Sequence, residues 1–129
     1  MKRITFIASG LGITAILQVL RNILSSKDSS VSFIDLVWIN EEINDFVCDK
    51  IIEDFEYLYY DKVMVTRILE EDLFGKGLSK LPDFFKVIHS YESASLAIIC
   101  APDYILSRSR SVLFEMGYPT DSVLSIIMS

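Results

Sequence analysis

Apolar residues along this chain follow two alternating patterns. Short, nearly continuous runs rich in β-branched and aromatic residues are typical of buried strands. Five such runs occur, at 3–9, 31–40, 61–69, 94–102 and 121–129. Between them, apolar side chains recur every three or four residues, as on the buried face of a helix. These segments cover 14–24, 41–59, 78–91 and 103–117, so the pattern predicts five strands separated by four helices.

Strict alternation of strands and helices indicates a parallel sheet with right-handed crossover connections. We therefore expect an α/β fold: a five-stranded parallel, doubly wound, Rossmann-like sheet with helices on both faces, formed by residues 1–129 as a single domain. Ligands of such sheets bind beyond the carboxyl ends of the strands, where the strand order reverses. That rule directs attention to four segments, 9–14, 40–42, 66–67 and 100–103.

Composition narrows the classes of function. Hydrophobic residues make up 51% of the chain, which favours a surface partly covered by a partner or another domain. The net charge of −6, without a basic cluster, argues against a nucleic-acid partner. Cys48, Cys100 and His89 show no CxxC or HxxxH spacing, so no metal site is predicted. Sparse cysteines favour a reducing compartment, and we expect a cytoplasmic location.

The N-terminal segment allows a second interpretation. Lys2 and Arg3 precede an uncharged stretch, 4–20, as in a secretory signal. No small-residue cleavage site follows it, and the charge of Arg21 leaves the stretch short for a membrane span of about 20 residues. The change of period at Gly10 favours a strand followed by a helix, so no direct membrane span is expected.

The turn between the first strand and the first helix has the composition of an anion site. Gly10 and Gly12 let the backbone approach a ligand closely, the following helix adds its positive end, and Thr14 adds a hydroxyl. Such a turn suits a pyrophosphate. The third glycine of the dinucleotide fingerprint is absent, so the residues alone are also compatible with a tight turn that binds nothing.

Two ordered motifs extend this interpretation. The stretch FIASGLGITAILQVLRNIL (6–24) resembles the first strand, loop and helix of the NAD(P)-binding domain of the ferredoxin-NADP reductase superfamily. The closest branch is that of the cytochrome b5 reductases, whose loop usually reads G-T-G-I-T-P. The family's second motif, C-G-P-P, is matched by CAPD (100–103), which a helix, a GYP turn and a last strand follow. The resemblance covers essentially the whole chain.

The resemblance implies an NAD(P)H-dependent flavoprotein oxidoreductase that positions the nicotinamide for hydride transfer to a flavin. The cofactor's pyrophosphate and nicotinamide ribose would be cradled by Gly10, Gly12, Ile13 and Thr14. Cys100 would lie beside the nicotinamide as the catalytic position, and Pro102 would shape the same loop. From the residues alone, Cys100 can also be a small packing residue, because nothing nearby marks an activated thiolate.

The adenosine end of the cofactor is assigned to two other strands. Thr66 and Arg67, taken to end the third strand, resemble a Ser-Arg pair that often meets the adenosine, although Arg67 is also compatible with a solvated charge. Asn40 and Glu41 follow the second strand, where a carboxylate can bind the ribose hydroxyls and repel a 2′-phosphate. Arg67 would favour NADPH and the carboxylates at 41–42 favour NADH, and we expect NADH.

Four positions depart from the family motifs, since Leu11, Ala15, Ala101 and Asp103 replace Thr, Pro, Gly and Pro. The chain has no R-x-Y-[ST] flavin signature, so FAD is expected only through a missing domain or a partner, and this chain is not expected to be active alone.

The expected partner is therefore a flavin-binding domain or subunit, and the resemblance also admits a haem or iron–sulfur electron acceptor. The alternative is a degenerate, non-catalytic nucleotide-binding or protein-interaction module that keeps the fold. An unrelated flavodoxin-like regulator is disfavoured, because Ser9 and Gly10 stand where such a regulator needs acidic residues.

Overall fold

The structure is a computed structural model, and it describes residues 2–25, 31–40, 49–69 and 88–127. Within these residues the chain forms five strands, three helices and one 3-10 turn. In chain order they are β1 (Lys2–Ser9), α1 (Gly12–Ser25), β2 (Val31–Asn40), α2 (Asp49–Leu58), β3 (Val63–Leu69), β4 (Ser95–Ala101), α3 (Asp103–Glu115), the 3-10 turn (Thr120–Ser122) and β5 (Val123–Ile127).

The strands form one sheet in the order β3-β2-β1-β4-β5, and every neighbouring pair is parallel. The chain builds the sheet outward from β1 to β3 and then returns to place β4 on the other side of β1. The strand order therefore reverses between β1 and β4, which is where a doubly wound sheet opens a crevice at its carboxyl edge. This arrangement confirms the predicted fold class.

The helices cover both faces of the sheet. On one face, α1 and α2 pack against a cluster that includes the fully buried Phe6 and Trp38. On the opposite face, α3 packs through Ile105 and Leu113 against a second cluster around Ile7. Successive residues of a strand point to opposite faces, so the central strands must be apolar on both sides. That requirement explains why they are continuous apolar runs in the sequence.

Five elements begin at a different residue from the one that the sequence pattern predicts. Strands β1, β4 and β5 begin at Lys2, Ser95 and Val123, one or two residues from the predicted 3, 94 and 121. Helix α1 begins at Gly12 rather than Thr14, so the second glycine belongs to the helix itself. Strand β3 begins at Val63, because the backbone between α2 and β3 first closes a turn. In that turn the amides of Lys62 and Val63 both donate to the carbonyl of Tyr59, at 2.9 Å.

Other predicted elements are described only in part. The helix predicted over 41–59 is observed as α2, and its first part, 41–48, lies outside the described residues. The helix predicted over 78–91 does not include 88–91, whose backbone is irregular, and residues 70–87 lie outside the described part.

The charged start of the chain belongs to the sheet. Arg3 lies within β1, and its guanidinium pairs with the buried carboxylate of Asp35 on β2 at 2.8 Å. The stretch considered as a secretory core therefore consists of β1, the glycine turn and the start of α1. Among the described residues, no helix combines the length and the hydropathy that crossing a bilayer requires.

The GYP turn after α3 is fastened to the segment that precedes β4. Gly117 adopts a φ of +94°, which reverses the chain after the helix. The buried Tyr118 then donates its hydroxyl to the carbonyl of His89 at 3.1 Å, and its ring meets that of Tyr91 edge-on at 5.4 Å. Burial raises the pKa of Tyr118, because the phenolate would lose its hydration.

We expect Tyr118→Phe to lower the free energy of unfolding by about 1 kcal/mol at neutral pH, because one hydrogen bond is lost. A phenol whose pKa is raised by folding stabilises the protein fully below its unfolded pKa and ceases to do so as the pH rises through its folded pKa. Chemical denaturation of Tyr118→Phe should therefore show less loss of stability than the wild type above the usual tyrosine pKa of 10.0. The control is Tyr57→Phe at an 83% exposed position, and an equal alkaline loss in all three proteins would contradict the assignment.

Candidate functional site

The carboxyl ends of β1 and β4 bring the two sequence motifs together. Ala8 of β1 pairs with Cys100 of β4, so the glycine turn and the CAPD segment leave the sheet side by side. On the other side of β1, Ser9 pairs with Ile39, which places Asn40 beside the same turn. Three of the four segments singled out by the sequence, 9–14, 40 and 100–103, thus meet at one edge of the sheet.

Gly12 is required by the packing of α1 against β4. A Cβ at this position would lie 2.9 Å from the carbonyl carbon of Cys100 and closer still to its oxygen. Real Cβ atoms do not approach backbone so closely, and the carbonyl is held in the sheet. Only glycine therefore lets the first turn of α1 rest on the end of β4.

Gly10 serves a different purpose. Its φ of +58° is in the left-handed region, which turns the chain sharply out of β1. Apart from its chain neighbours, no atom of the described residues lies within 4 Å of the place where its Cβ would be, so these residues leave this side of the turn open. Its amide donates to Oδ1 of Asn40 at 3.1 Å, which joins the turn to the end of β2.

The start of α1 presents polar backbone at the crevice. Within the described part of the chain, the amides of Leu11 and Gly12 have no backbone acceptor, as is usual for the first turn of a helix. The amide and the hydroxyl of Thr14 both bond to the carbonyl of Leu11, at 3.1 and 2.7 Å. The side chain of Ile13 is fully buried, so only its backbone can face a ligand. Unpaired amides at a positive helix end suit an anion.

Cys100 is a buried thiol in this structure. Its side chain is fully covered and belongs to the cluster between α1 and the sheet. Burial raises its pKa, so the thiol stays protonated at neutral pH and is not an activated nucleophile. The sequence leaves open whether Cys100 is a packing residue or lies beside a nicotinamide. Its burial supports the packing role, and contact with a ring stays a prediction.

The rest of the CAPD segment starts α3. Pro102 caps the helix with an extended backbone, and its carbonyl accepts the amides of Ile105 and Leu106 at 3.1 and 2.9 Å. Asp103 is exposed in the first turn, where a carboxylate interacts favourably with the helix dipole. A negative charge therefore stands at the positive end of α3, at the edge where the glycine turn offers its amides.

Of the two residues predicted at the end of β2, Asn40 lies within the described residues and Glu41 does not. Asn40 is 2% exposed, and its Nδ2 has no hydrogen-bond partner in the described part of the chain. Glu41, together with Glu42, lies outside the described residues. The prediction that a carboxylate follows β2 at the ribose position thus stays a prediction.

Thr66 and Arg67 lie inside β3 rather than at its end. They pair with Val37 and Trp38, and β3 continues to Leu69 opposite Asn40. The view that they end the strand was wrong, whereas the predicted strand end at position 69 is confirmed, because Ile68 and Leu69 also join the ladder. Their side chains are therefore set back from the carboxyl edge.

Arg67 is held by two carboxylates of α2. Its Nε donates to Asp49 and its Nη2 to Glu56, each at 2.8 Å. Desolvation by itself would lower the arginine pKa, but the bonds to Glu56 and Asp49 outweigh it, and the pKa is raised. The guanidinium therefore carries its positive charge, and the two carboxylates already balance that charge. Sequence reasoning missed these partners, although Asp49 and Glu56 lie two helical turns apart and so share a helix face.

The residues at this edge of the sheet can be compared with what a pyridine nucleotide requires. Among the residues that the structure describes, space is left beside Gly10 and the amides of Leu11 and Gly12 have no backbone acceptor, while α1 adds its positive end, so a pyrophosphate fits the turn. The nicotinamide position is less complete, because the Cys100 side chain faces the core. No group of three or more metal-ligating side chains occurs among the described residues.

Comparison with known proteins finds similarity to nitrate reductases. No protein-family model matches the chain. The NADPH nitrate reductase of Aspergillus niger is 28% identical over 115 residues, which are 87% of this chain and 13% of that protein. The cytochrome b5 reductase domain of Ulva prolifera nitrate reductase superposes with a TM-score of 0.81 at 23% identity, over 98% of this chain and 49% of that one.

Two further solved structures share the fold. The CS-b5R domains of human Ncb5or, in the NAD+ form, give a TM-score of 0.74 at 18% identity, over 97% of this chain and 36% of that one. A mutant ferredoxin-NADP+ reductase of Plasmodium falciparum in complex with 2′P-AMP gives 0.74 at 13% identity, over 98% and 53%. The chain spans about half the length of these solved structures, or less. The chain therefore shares its fold with these reductase domains, in agreement with the fold that the two sequence motifs predict.

Proposed function

We propose that residues 1–129 act as one pyridine-nucleotide-binding domain of a flavoprotein oxidoreductase, taking NADH in preference to NADPH in the crevice between β1 and β4. The observation that carries the proposal is the meeting of the two motifs. Gly12 rests on the backbone of Cys100, which brings the open side of Gly10 and the start of α1 to the carboxyl edge of the sheet. The two nitrate reductases and the ferredoxin-NADP+ reductase to which the chain is similar are reductases, which supports the same function.

In this proposal the chain binds and orients the cofactor. The amides of the turn hold the pyrophosphate, with Gly10, Gly12 and Ile13 contributing backbone only. The hydroxyl of Thr14 joins them by exchanging its bond to the carbonyl of Leu11 for one to a phosphate oxygen. The segment with Cys100 and Pro102 bounds the nicotinamide, and the adenosine extends past Asn40 toward Glu41, Thr66 and Arg67. The bound nicotinamide supplies the hydride chemistry.

The electron acceptor of the proposal is a flavin, FAD, carried by another domain or by a partner subunit. Exposed apolar side chains on the edge strand β5 support a covering partner, since Leu124 and Ile126 are each about half exposed. A haem or iron–sulfur protein would take the electrons onward. The proposal places the chain in the cytoplasm, in line with the free thiol of Cys100.

The preference for NADH draws support from the contacts of Arg67. A guanidinium that two carboxylates already neutralise offers little attraction to a 2′-phosphate. The Aspergillus relative is an NADPH enzyme, so cofactor choice varies among proteins of this kind and must rest on this chain's own residues.

A second function is favoured by the CAPD segment. Cys100 is sealed in the core, and the carboxylate of Asp103 stands at the positive end of α3, where it would repel an anionic ligand. Both observations suit a module that binds a nucleotide or a protein without taking part in hydride transfer.

Leu11→Asp tests the anion site. Leu11 precedes α1 and is 70% exposed, so both Asp and its neutral isostere Asn should be tolerated and should cap the helix. We expect calorimetric titration with NADH to show about tenfold weaker binding for Leu11→Asp and little change for Leu11→Asn, because only the carboxylate repels the pyrophosphate. Gly12 is unsuitable for this test, since a side chain there disrupts the contact of α1 with β4.

Equal NADH affinities of Leu11→Asp and the wild type would show that the turn does not hold the pyrophosphate. The absence of saturable binding of NADH and NADPH to the wild type would reject nucleotide binding by this chain. If the chain binds NADH saturably but the flavin of an added flavin domain is not reduced, the result would support the non-catalytic module.

Cofactor choice is tested by removing the two carboxylates that bind the guanidinium of Arg67. We expect the double variant Asp49→Asn, Glu56→Gln to bind NADPH about tenfold more tightly relative to NADH, because the freed guanidinium can pair with the 2′-phosphate. The matched control is Glu53→Gln, Asp54→Asn, which removes the same charge from exposed positions of α2. The affinity ratio should stay unchanged in the control. A similar ratio in both double variants would mean that Arg67 only packs α2 onto β3.

A further inference from the structure

Asn40 links the end of β2 to the glycine turn. Its carboxamide is almost completely buried, with 2% of the residue exposed. The Oδ1 atom accepts the amide of Gly10 at 3.1 Å, across the gap between two neighbouring strand ends. In the described part of the chain, this bond is the side-chain contact that holds Gly10 in its left-handed conformation.

The same bond fixes the orientation of the carboxamide. An amide N–H requires an acceptor, so the oxygen must face Gly10 and the NH2 group must lie on the other side. That Nδ2 is buried and has no hydrogen-bond partner among the described residues. Buried donors without an acceptor are rare and unfavourable, so an unpaired one beside an open turn calls for an explanation.

We infer that Asn40 acts on both sides of the site: its Oδ1 positions the glycine turn, and its Nδ2 donates a hydrogen bond to a phosphate oxygen of the bound nucleotide. The inference rests on the proposed function. A carboxylate in its place could accept the Gly10 amide equally well. It has no hydrogen to donate, however, and its charge would oppose the pyrophosphate. The need for one acceptor and one donor in a single short side chain accounts for an amide at this strand end.

Two variants separate the two roles. Asn40→Asp keeps the size and the acceptor but loses the donor, whereas Asn40→Leu keeps the approximate size and loses both. The first readout needs no ligand: the amide exchange rate of Gly10, measured by NMR. We expect Gly10 to remain protected in Asn40→Asp and to exchange about tenfold faster in Asn40→Leu, because only the leucine leaves the amide unpaired. Unchanged protection in Asn40→Leu would overturn the positioning role.

The second readout is calorimetric titration of the 129-residue chain with inorganic pyrophosphate, NAD+ and adenosine. We expect both variants to bind pyrophosphate and NAD+ about tenfold more weakly than the wild type, the loss that one missing hydrogen bond to a charged group produces. Adenosine, which has no phosphate, should bind Asn40→Asp within about twofold of the wild type. The neutral Asn40→Leu removes the donor without adding a charge, so a loss that both variants share cannot come from repulsion by a carboxylate alone.

Unchanged pyrophosphate affinity in Asn40→Asp, or a loss in Asn40→Asp that Asn40→Leu does not share, would overturn the donor role. A loss confined to adenosine would do the same, because it would place Asn40 at the ribose or the base. If the wild type binds neither NAD+ nor pyrophosphate, the proposed function itself fails and the donor role with it. The Gly10 exchange rates would still decide the positioning role, so the two failures remain distinguishable.

Discussion

The close approach of α1 to the end of β4 is the constraint on which this edge of the molecule depends. The carbonyl of Cys100 lies where a side chain at position 12 would be, and β4 cannot yield because it is paired on both sides, to β1 and to β5. The helix can therefore begin this close to the sheet only with glycine. The chain must also leave β1 sharply to reach that point, which Gly10 permits at a φ of +58°.

Because of the same constraint, Gly10 and Gly12 have different roles, although their pairing in the sequence suggests a single one. Gly12 serves packing within the chain, whereas the described residues leave open space beside Gly10, which the proposed ligand would use. The side chains of Thr14 and Asn40 that bond at the turn are uncharged, and both bond to backbone groups of the turn itself. An anion at this place would therefore be attracted by the backbone amides and by the dipole of α1. A helix end contributes up to about 1 kcal/mol at an exposed site, so further donors matter to affinity.

The sequence was sufficient to predict the sheet because its central strands are buried on both faces and therefore form long apolar runs. It also predicted that 9–14 and 100–103 share an edge, since parallel strands end on the same side. The reason for Gly12 was not predictable, because its partner is backbone far away in the chain. Neither were the partners of Arg67, since they depend on how α2 lies over β3, and acidic residues on a helix surface usually face water.

The second motif shows how packing and chemistry are joined here. The thiol of Cys100 lies beneath α1, so direct contact with a nicotinamide would require the start of that helix to move. Burial keeps the thiol protonated, and a protonated, covered thiol has no acid–base role in hydride transfer. Its backbone, however, sets the level at which Gly12 and hence the whole turn lie. The two motifs therefore form one structural unit, in which the backbone of Cys100 sets the position of the glycine turn through α1. In the proposed function the reacting groups would belong to the cofactors.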